Sequence, residues 1–562
     1  MCGIFFSLYA EPSGTDAEGW KEPFDSICDR LRQLNTGARS RSLIYKAEKG
    51  PDYQSSVVTG LSNEDPQNPK PIFNAEFFGA ELHLRGDDAV QQPHRKDGNI
   101  LCWNGEIFGG IEVSAQENDG VRLVEELSRA KDSDGVVEVL GRLEGPIYFS
   151  RDPLGRRSLL IHIPALDFPV LFISSVSAGL DSNISFDEVS TESIHYVDLE
   201  TLEQECLTAP WDATLAEAIG RSISQLPRFT TGFESPIFLD ESTYLQVRDI
   251  PRSGPEKSAR VSVLFSGGID STVVAYLAHR HTPLAEPIDL LNVGFENPRK
   301  LRVQQVGNGG ATPTRQKKRE RAALENANAL PTEPSYRVPD RVTGLQELEE
   351  LRKLCPGRAW NFVEVNVPYD ECQSLKQKVE DLMLPSRTVM DLSLALALYF
   401  AARGKGQIRS SPGANPVPYT SPARVVLSGL GSDELLGGYG RHKSAYNAGG
   451  WPAVIEELQL EIDRIPTRNL GRDDRIISSH GKETRHPFLS LDVVNFLARL
   501  PVHHKLDPRL DVGAGDKTLL RLVVRKLGLV EASCRKKRAM QFGSHSARMD
   551  GEKKGDAPLD DQ

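Results

Sequence analysis

At 562 residues the chain is too long for one compact core, so two or more domains are expected. A formal net charge of −11 argues against a general nucleic-acid binder. The seven cysteines form no Cys-x-x-Cys pair, which speaks against zinc and disulfide frameworks. There is no basic-then-apolar leader and no run near the roughly 20 apolar residues of a membrane span, so a cytoplasmic protein is expected.

The chain opens Met1-Cys2-Gly3-Ile4. Removal of the methionine would put a thiol and a free α-amine on Cys2, so that one residue supplies both nucleophile and base. Residues 3–8, 80–84, 100–103, 158–163 and 170–174 read as strands, and 24–33 and 120–131 as helices. Many strands with few helices predict stacked sheets covered by helices over residues 1–205. Asn104-Gly105-Glu106 follows the strand ending at Trp103. Taken alone, Asn-Gly there is a hairpin turn. As chemistry, the Asn104 amide and the Gly105 N–H are two donors that can converge on one oxyanion. Asp119 also reads as a helix N-cap.

Residues 206–258 read as a linker. Val261–Phe265 is an apolar strand running into Ser266-Gly267-Gly268-Ile269-Asp270-Ser271 and then a helical pattern to His281. A Ser/Gly loop between strand and helix is an anion site. It lacks the G-x-x-x-x-G-K-[ST] pattern, which disfavours γ-phosphate hydrolysis. A strand over Leu290–Phe295 follows. A third, Arg424–Leu427, runs into Ser428-Gly429-Leu430-Gly431-Ser432-Asp433-Glu434, whose adjacent acids suit Mg²⁺ on phosphates or pairing with a helix N-terminus. Residues near 299–339 and 404–422 read as flexible insertions within a domain of 259–548, and 549–562 as a disordered tail. Arg535-Lys536-Lys537-Arg538 reads as a nuclear signal or as a charged face near a nucleotide.

Met-Cys-Gly-Ile, the later Asn-Gly-Glu-Ile and the acid after it resemble the class II glutamine amidotransferases. Arg151–Arg157 looks like that family's R-D-x-x-G-x-(K/R) turn. The resemblance implies an α+β N-terminal nucleophile hydrolase sandwich, with stacked antiparallel sheets and helices. In it Cys2 attacks the glutamine amide, Asn104 and Gly105 hold the oxyanion, Glu106 contacts the substrate and Asp119 binds its ammonium. The family's Arg-Gly-Pro-Asp segment, expected to take the glutamine carboxylate, is absent. The nearest string is Lys49-Gly50-Pro51-Asp52, so Lys49 becomes the candidate, a point charge in place of a bidentate fork. The step from Glu144-Gly145-Pro146 to Arg151 is short for the family's strand–turn–strand.

The S-G-G-x-D-S string resembles the pyrophosphate loop of the ATP pyrophosphatases, an α/β parallel-sheet fold of the adenine nucleotide alpha hydrolase type. With Ser428–Tyr439, Thr484–Leu489 and Asp516–Arg521 it resembles asparagine synthetase of the B type. The strings Trp103–Phe108, Trp360–Val367 and Lys537–Ser544 resemble the asparagine synthetase domain-containing protein subgroup. By this resemblance Phe265, Ser266, Gly267, Gly268, Asp270, Ser271, Val293, Ser428, Gly429 and Leu430 contact ATP. Asp270 and Asp433 hold Mg²⁺, and Lys517 neutralises departing pyrophosphate. The implied substrates are glutamine, aspartate and ATP, with neither nucleic acid nor membrane as partner and a homodimer left open. Glutamine would supply ammonia to a β-aspartyl adenylate. Two departures stand out. B-type synthetases read S-G-E-G-S-D-E, where this chain has Leu430, and their R-x-P-F-L-D ends here in Ser490. A synthetase-shaped binding or regulatory protein, or a ligase for another carboxylate, therefore stays open beside asparagine synthesis.

Overall fold

The computed structural model describes residues 3–10, 18–35, 41–47, 73–88, 90–97, 99–129, 146–165, 168–180, 184–198, 222–225, 238–252, 255, 258–298, 336–547, 549 and 557–559. They fall into two compact units. The first takes Met1–Ser253, Asp381–Ser386 and Ile455–Leu500, and the second takes Gly254–Glu380, Arg387–Val454 and Pro501–Gln562. Two segments from inside residues 259–548 thus pack with the N-terminal half.

In the N-terminal part of the first unit the strands are β1 (Ile4–Ala10), β2 (Arg41–Ala47), β3 (Phe73–Glu81), β4 (His94–Lys96), β5 (Asn99–Leu101), β6 (Pro146–Phe149), β7 (Leu160–His162), β8 (Val170–Ser174), β9 (Asp187–Glu188), β10 (Ser193–Asp198) and β11 (Ser222–Gln225). Six form an antiparallel sheet in the order β2-β3-β1-β8-β7-β9. Three more pair antiparallel as β11-β10-β6, and β4-β5 is a hairpin. The period-two alternation of β1 separates two cores. Phe5 joins Phe78 and Phe172 against Phe24, Ile27 and Leu31 of helix α1 (Glu18–Asn35). Phe6 and Leu8 join Leu171 and Ile173 against Phe149 and Val197 of the smaller sheet. The sheet is therefore covered by a helix on one face and by a second sheet on the other.

The stretch from residue 146 to 151 that looks short in sequence is the single strand β6, joined to Arg151 through Ser150 alone. That arginine is anchored by Glu188, whose carboxylate accepts from Arg151 Nη1 at 2.8 Å and from Arg475 Nη1 at 2.7 Å. Arg475 also donates to Ser158 Oγ at 2.8 Å and to the carbonyls of Leu382 and Met383. Arg157 reaches Asp474 at 3.1 Å and Glu483 at 2.7 Å. These buried charges hold the 381–386 and 455–500 segments in the first unit.

In the second unit β12 (Val261–Leu264), β13 (Ile288–Phe295), β14 (Trp360–Val367), β15 (Lys405–Ile408), β16 (Val417–Thr420) and β17 (Val425–Leu427) run in the order β16-β15-β14-β13-β12-β17. The pairings β17-β12, β12-β13 and β13-β14 are parallel. All eight residues of β13 are buried, as a strand covered on both faces requires. The segment read as an insertion at 404–422 is instead the antiparallel hairpin β15–β16 at the sheet edge. Its Arg409 holds Glu364 at 2.9 Å and the Ala414 carbonyl at 2.7 Å. The other expected insertion lies almost wholly outside the described residues. Of the expected disordered tail, Ala557 and Leu559 hydrogen-bond to the backbone of Val389 and Arg387.

β13 and β14 are laid down on one side of β12 and β17 on the other. This reversal of strand order leaves a crevice at the carboxyl ends of β12 and β17, the usual ligand position in parallel sheets.

Candidate active site

The loop after β12 occupies that crevice. Gly267 sits at φ +73°, and a Cβ there would fall 2.4 Å from the amide nitrogen of Gly344, so only glycine fits. Thr343 Oγ1 donates to the Ser266 carbonyl at 2.8 Å, and Gly268 N donates to Ser266 Oγ at 3.3 Å. Phe265 N bonds the Leu291 carbonyl at 2.9 Å, locking the loop onto β13, whose Val293 is buried. The helix Ile269–His281 starts here, with Asp270 in its first turn and Ser271 Oγ donating to the Gly268 carbonyl at 3.2 Å. After β17, Ser428 Oγ accepts from Leu430 N at 3.2 Å. Gly429 lies where a Cβ would meet the Asp270 side chain at 2.7 Å.

Four charged side chains converge on this loop pair. Lys517 Nζ lies 2.7 Å from both oxygens of Asp270 and 2.6 Å from Asp433 Oδ1. Ser432 Oγ donates to Asp270 Oδ1 at 2.5 Å, and Lys537 Nζ contacts the other oxygen of Asp433. Lys517 is fully buried, with the left-handed φ of +52° at the N-cap of helix Thr518–Lys526, so it is not a solvated helix lysine. Burial would raise the Asp433 carboxyl, but the ammonium groups of Lys517 and Lys537 outweigh it and hold it well below the usual range. Burial pushes the Glu434 carboxyl up, and the Tyr439 hydroxyl donates to it at 2.5 Å. Two carboxylates are what magnesium ordinarily takes from protein when phosphates and water supply the rest. Among the described residues no cluster of three or more His, Cys, Asp or Glu forms a self-contained cage. The residues present therefore fit a cation that arrives with phosphate. Within the basic run Arg535 holds Glu347 at 2.5 Å and Arg538 faces Asp340 at 3.8 Å. Lys537 is reached in the sequence only as part of a charged face near a nucleotide, and Ser432 only inside a quoted string; neither is marked as a partner of Asp433 or Asp270, because Lys537 stands 104 residues from Asp433 and Ser432 stands 162 from Asp270.

In the first unit, Cys2 and Lys49 lie outside the described residues. Next to the chain start, Ser175 Oγ accepts from Ile4 N at 3.1 Å and lies 3.4 Å from Asn104 Nδ2, which brings Asn104 to the beginning of β1. Gly105 packs so closely on the Trp103 ring that a Cβ would fall 2.8 Å from it. The helix cap is Asn118, whose Oδ1 accepts from Gly120 N at 3.0 Å and Val121 N at 3.3 Å. Asp119, first residue of helix α2 (Asp119–Arg129), is thus free of capping. Its carboxylate accepts from Ile107 N and lies 3.3 Å from Arg85 Nη1, which also donates to the Ile107 carbonyl at 2.6 Å. The largely buried Glu106 carboxylate faces Arg485 at 3.6 Å. Burial raises both carboxyls, against the pull of Arg485 on Glu106, and of the Ile107 N–H and Arg85 on Asp119. Arg85, Gly105, Glu106 and Asp119 line one small recess. Arg85 and Arg485 were not legible as site residues, because nothing local marks an arginine whose partner is 34 or 379 residues away.

An asparagine synthase family profile matches residues 256–331 and 444–555. A Bos taurus protein named asparagine synthetase domain-containing protein 1 is 34% identical, over 89% of this chain and 93% of its own. A Saccharomyces cerevisiae asparagine synthetase domain-containing protein is 31% identical over 99% of this chain and 98% of its own. A Methanocaldococcus jannaschii protein named putative asparagine synthetase [glutamine-hydrolyzing] 1 is 40% identical, but over 15% of each chain. The chain belongs to the asparagine synthase family, among its asparagine synthetase domain-containing members.

Proposed function

We propose that this protein is a glutamine-dependent amide ligase that releases ammonia in its first unit and consumes it at an ATP-activated carboxylate in its second, with aspartate as the acceptor. The observation that carries the ligase half is the meeting of Asp270 and Asp433 from two separate loops around Lys517 Nζ, at the point where the strand order reverses. Asp270 and Asp433 would hold magnesium, whose chemistry there is to screen phosphate charge. Lys517 and Lys537 would stabilise the negative charge that builds up as pyrophosphate leaves the α-phosphorus. The loop N–H groups from Gly267 to Asp270 would orient the phosphates.

The glutaminase half belongs to a sandwich of the N-terminal nucleophile hydrolase type in this reading. Cys2 would attack the amide carbon, its α-amine taking the thiol proton, with Asn104 and Gly105 donating to the oxyanion. The Arg85–Asp119 pair is complementary to an amino-acid zwitterion, Asp119 facing the ammonium and Arg85 the carboxylate, so the latter role passes from Lys49 to Arg85. Leu430 favours a second reading for the acceptor. An isobutyl group cannot move a proton or order ammonia, so the ligase would act on a different acid or fail at the amide-forming step.

The test is mass spectrometry of products from amide-¹⁵N glutamine, aspartate, ATP and Mg²⁺. Labelled asparagine together with AMP, lost in Cys2→Ala, is expected. Labelled ammonia and glutamate without asparagine would leave the acceptor assignment overturned and the first unit's reading standing.

A further inference from the structure

Lys537 reaches Asp433 from residues 535–539, which belong to no helix or strand. Its side chain is 28% exposed and rich in rotamers, so keeping Nζ on Asp433 costs entropy unless the backbone beneath it is fixed. The helix Pro339–Leu354 does the fixing. Asp340, Thr343, Gly344 and Glu347 fall at i, i+3, i+4 and i+7, which is one face of a helix. From that face Thr343 and Gly344 hold Ser266 and Gly267 of the loop after β12. Glu347, with no exposed surface, accepts from Arg535 Nε at 2.5 Å. Asp340 faces Arg538 Nη1 at 3.8 Å. Further along, Glu350 accepts from the amides of Glu531 at 2.8 Å and Ala532 at 3.1 Å. Lys537 is therefore bracketed by two arginines that the same helix holds. Of these links the one to Glu347 is short, charge-assisted and desolvated, whereas Arg538 is 46% exposed and its pairing is weak. A second anchor is Arg521, four residues after Lys517. It donates to the carbonyls of Ser533 at 2.9 Å and Arg535 at 2.8 Å and pairs with Asp516.

We propose that Glu347 is a positioning residue for Lys537: its bond to Arg535 fixes the backbone from which Lys537 reaches Asp433. In this role Glu347 touches no phosphate and acts through Arg535 alone. The same helix carries the loop Ser266–Gly268, so the N–H groups and the ammonium that the ligase reading aims at the phosphates share one support. The positioning claim stands without that reading, and only its effect on AMP formation rests on it.

The experiment pairs amine labelling with kinetics on the full-length protein. Limited acetylation followed by peptide mass spectrometry reads Lys537, with Lys505, 6% exposed, as the reporter of general unfolding. In Glu347→Gln, which keeps the volume and leaves Arg535 partly solvated, Lys537 acetylation should rise about five-fold or more while Lys505 stays unchanged. Arg535→Gln cuts the same bond from its other end and should do likewise. Where one variant loosens Lys505 as well, the other decides, and no selective rise at Lys537 in either would overturn the proposal. The kinetic arm is a double-mutant cycle on the rate of AMP formation. Glu347→Gln and Lys537→Met should each lower that rate about ten-fold or more, and the double variant should fall no further than Lys537→Met. Factors that multiply would give Glu347 a role apart from Lys537 and overturn the proposal too. If the unaltered protein forms no AMP from ATP with aspartate, the ligase reading fails and the labelling result still decides the positioning claim.

Discussion

Two side chains show what burial does to single charges here. Lys517 is held between Asp270 and Asp433 with no exposure to water to spare. Its replacement by methionine keeps the volume and deletes the charge, leaving Asp270 without its counter-ion and Asp433 with Lys537 alone. Breaking a buried ion cluster in this way costs about 3–5 kcal/mol, so chemical denaturation of Lys517→Met should show a loss of that order together with loss of AMP formation. Asp340 behaves differently. Burial, opposed by Arg538 and Lys537, raises its carboxyl from 3.8 to about 7. Between those values the folded chain keeps a proton that the unfolded chain has lost, so stability falls as pH rises from about 4 to 7 and is level on either side. That single group accounts for at most about 4 kcal/mol. Asp340→Asn should flatten this part of the stability–pH curve, and an unchanged slope would mean that the carboxylate ionises without penalty.

At the scale of elements, what was legible followed from local pattern. The strand, Ser/Gly loop and helix at Val261–His281 and the strand Val170–Ser174 are visible in composition and periodicity, and they form where expected. Asp119 shows the limit: its position suggests a cap, but Asn118 takes that role and frees Asp119 for Arg85. The hairpin β15–β16 was hidden because its turn, Ser410-Ser411-Pro412-Gly413-Ala414-Asn415-Pro416, is longer and richer in turn formers than either four-residue strand. Long-range charge pairing is the part sequence cannot show. Glu188 binds Arg151 and Arg475, residues 324 positions apart, and no window of sequence contains both. Replacing Glu188 by Gln leaves two buried guanidinium groups without their counter-charge. The expected outcome is about 3–5 kcal/mol of destabilisation, with faster proteolysis within residues 455–500 in limited digestion. In the second unit, Gly267→Ala meets both a positive φ and the Gly344 nitrogen. It should displace the loop, weakening ATP binding about ten-fold or more while a thermal scan shows a loss of about 1–3 kcal/mol.

For the whole molecule, two chemistries on one chain are separable by mutation if each unit carries its own. On the proposed reading Cys2→Ala would remove only the nucleophile that opens glutamine, so amide formation from added ammonium salts should persist at near its original rate while the glutamine-dependent reaction disappears. Asp433→Asn removes the carboxylate that faces Lys517 and Lys537. It should abolish AMP formation from either nitrogen source while glutamine hydrolysis continues. The informative quantity is the ratio of glutamate to AMP. If the intact protein couples the two reactions tightly, it should be near one. In Asp433→Asn it should rise without bound, and in Cys2→Ala supplied with ammonium it should fall to zero. Leu430 adds a third arm. If the missing glutamate is what limits the second unit, Leu430→Glu should increase labelled asparagine without altering glutaminase rate, because its amide already bonds Ser428 and only the side chain changes. If the acceptor is a different acid, Leu430→Glu leaves asparagine undetectable and lowers AMP formation with the native acid. The direction of that one substitution thus distinguishes an impaired asparagine synthetase from an intact ligase of altered specificity.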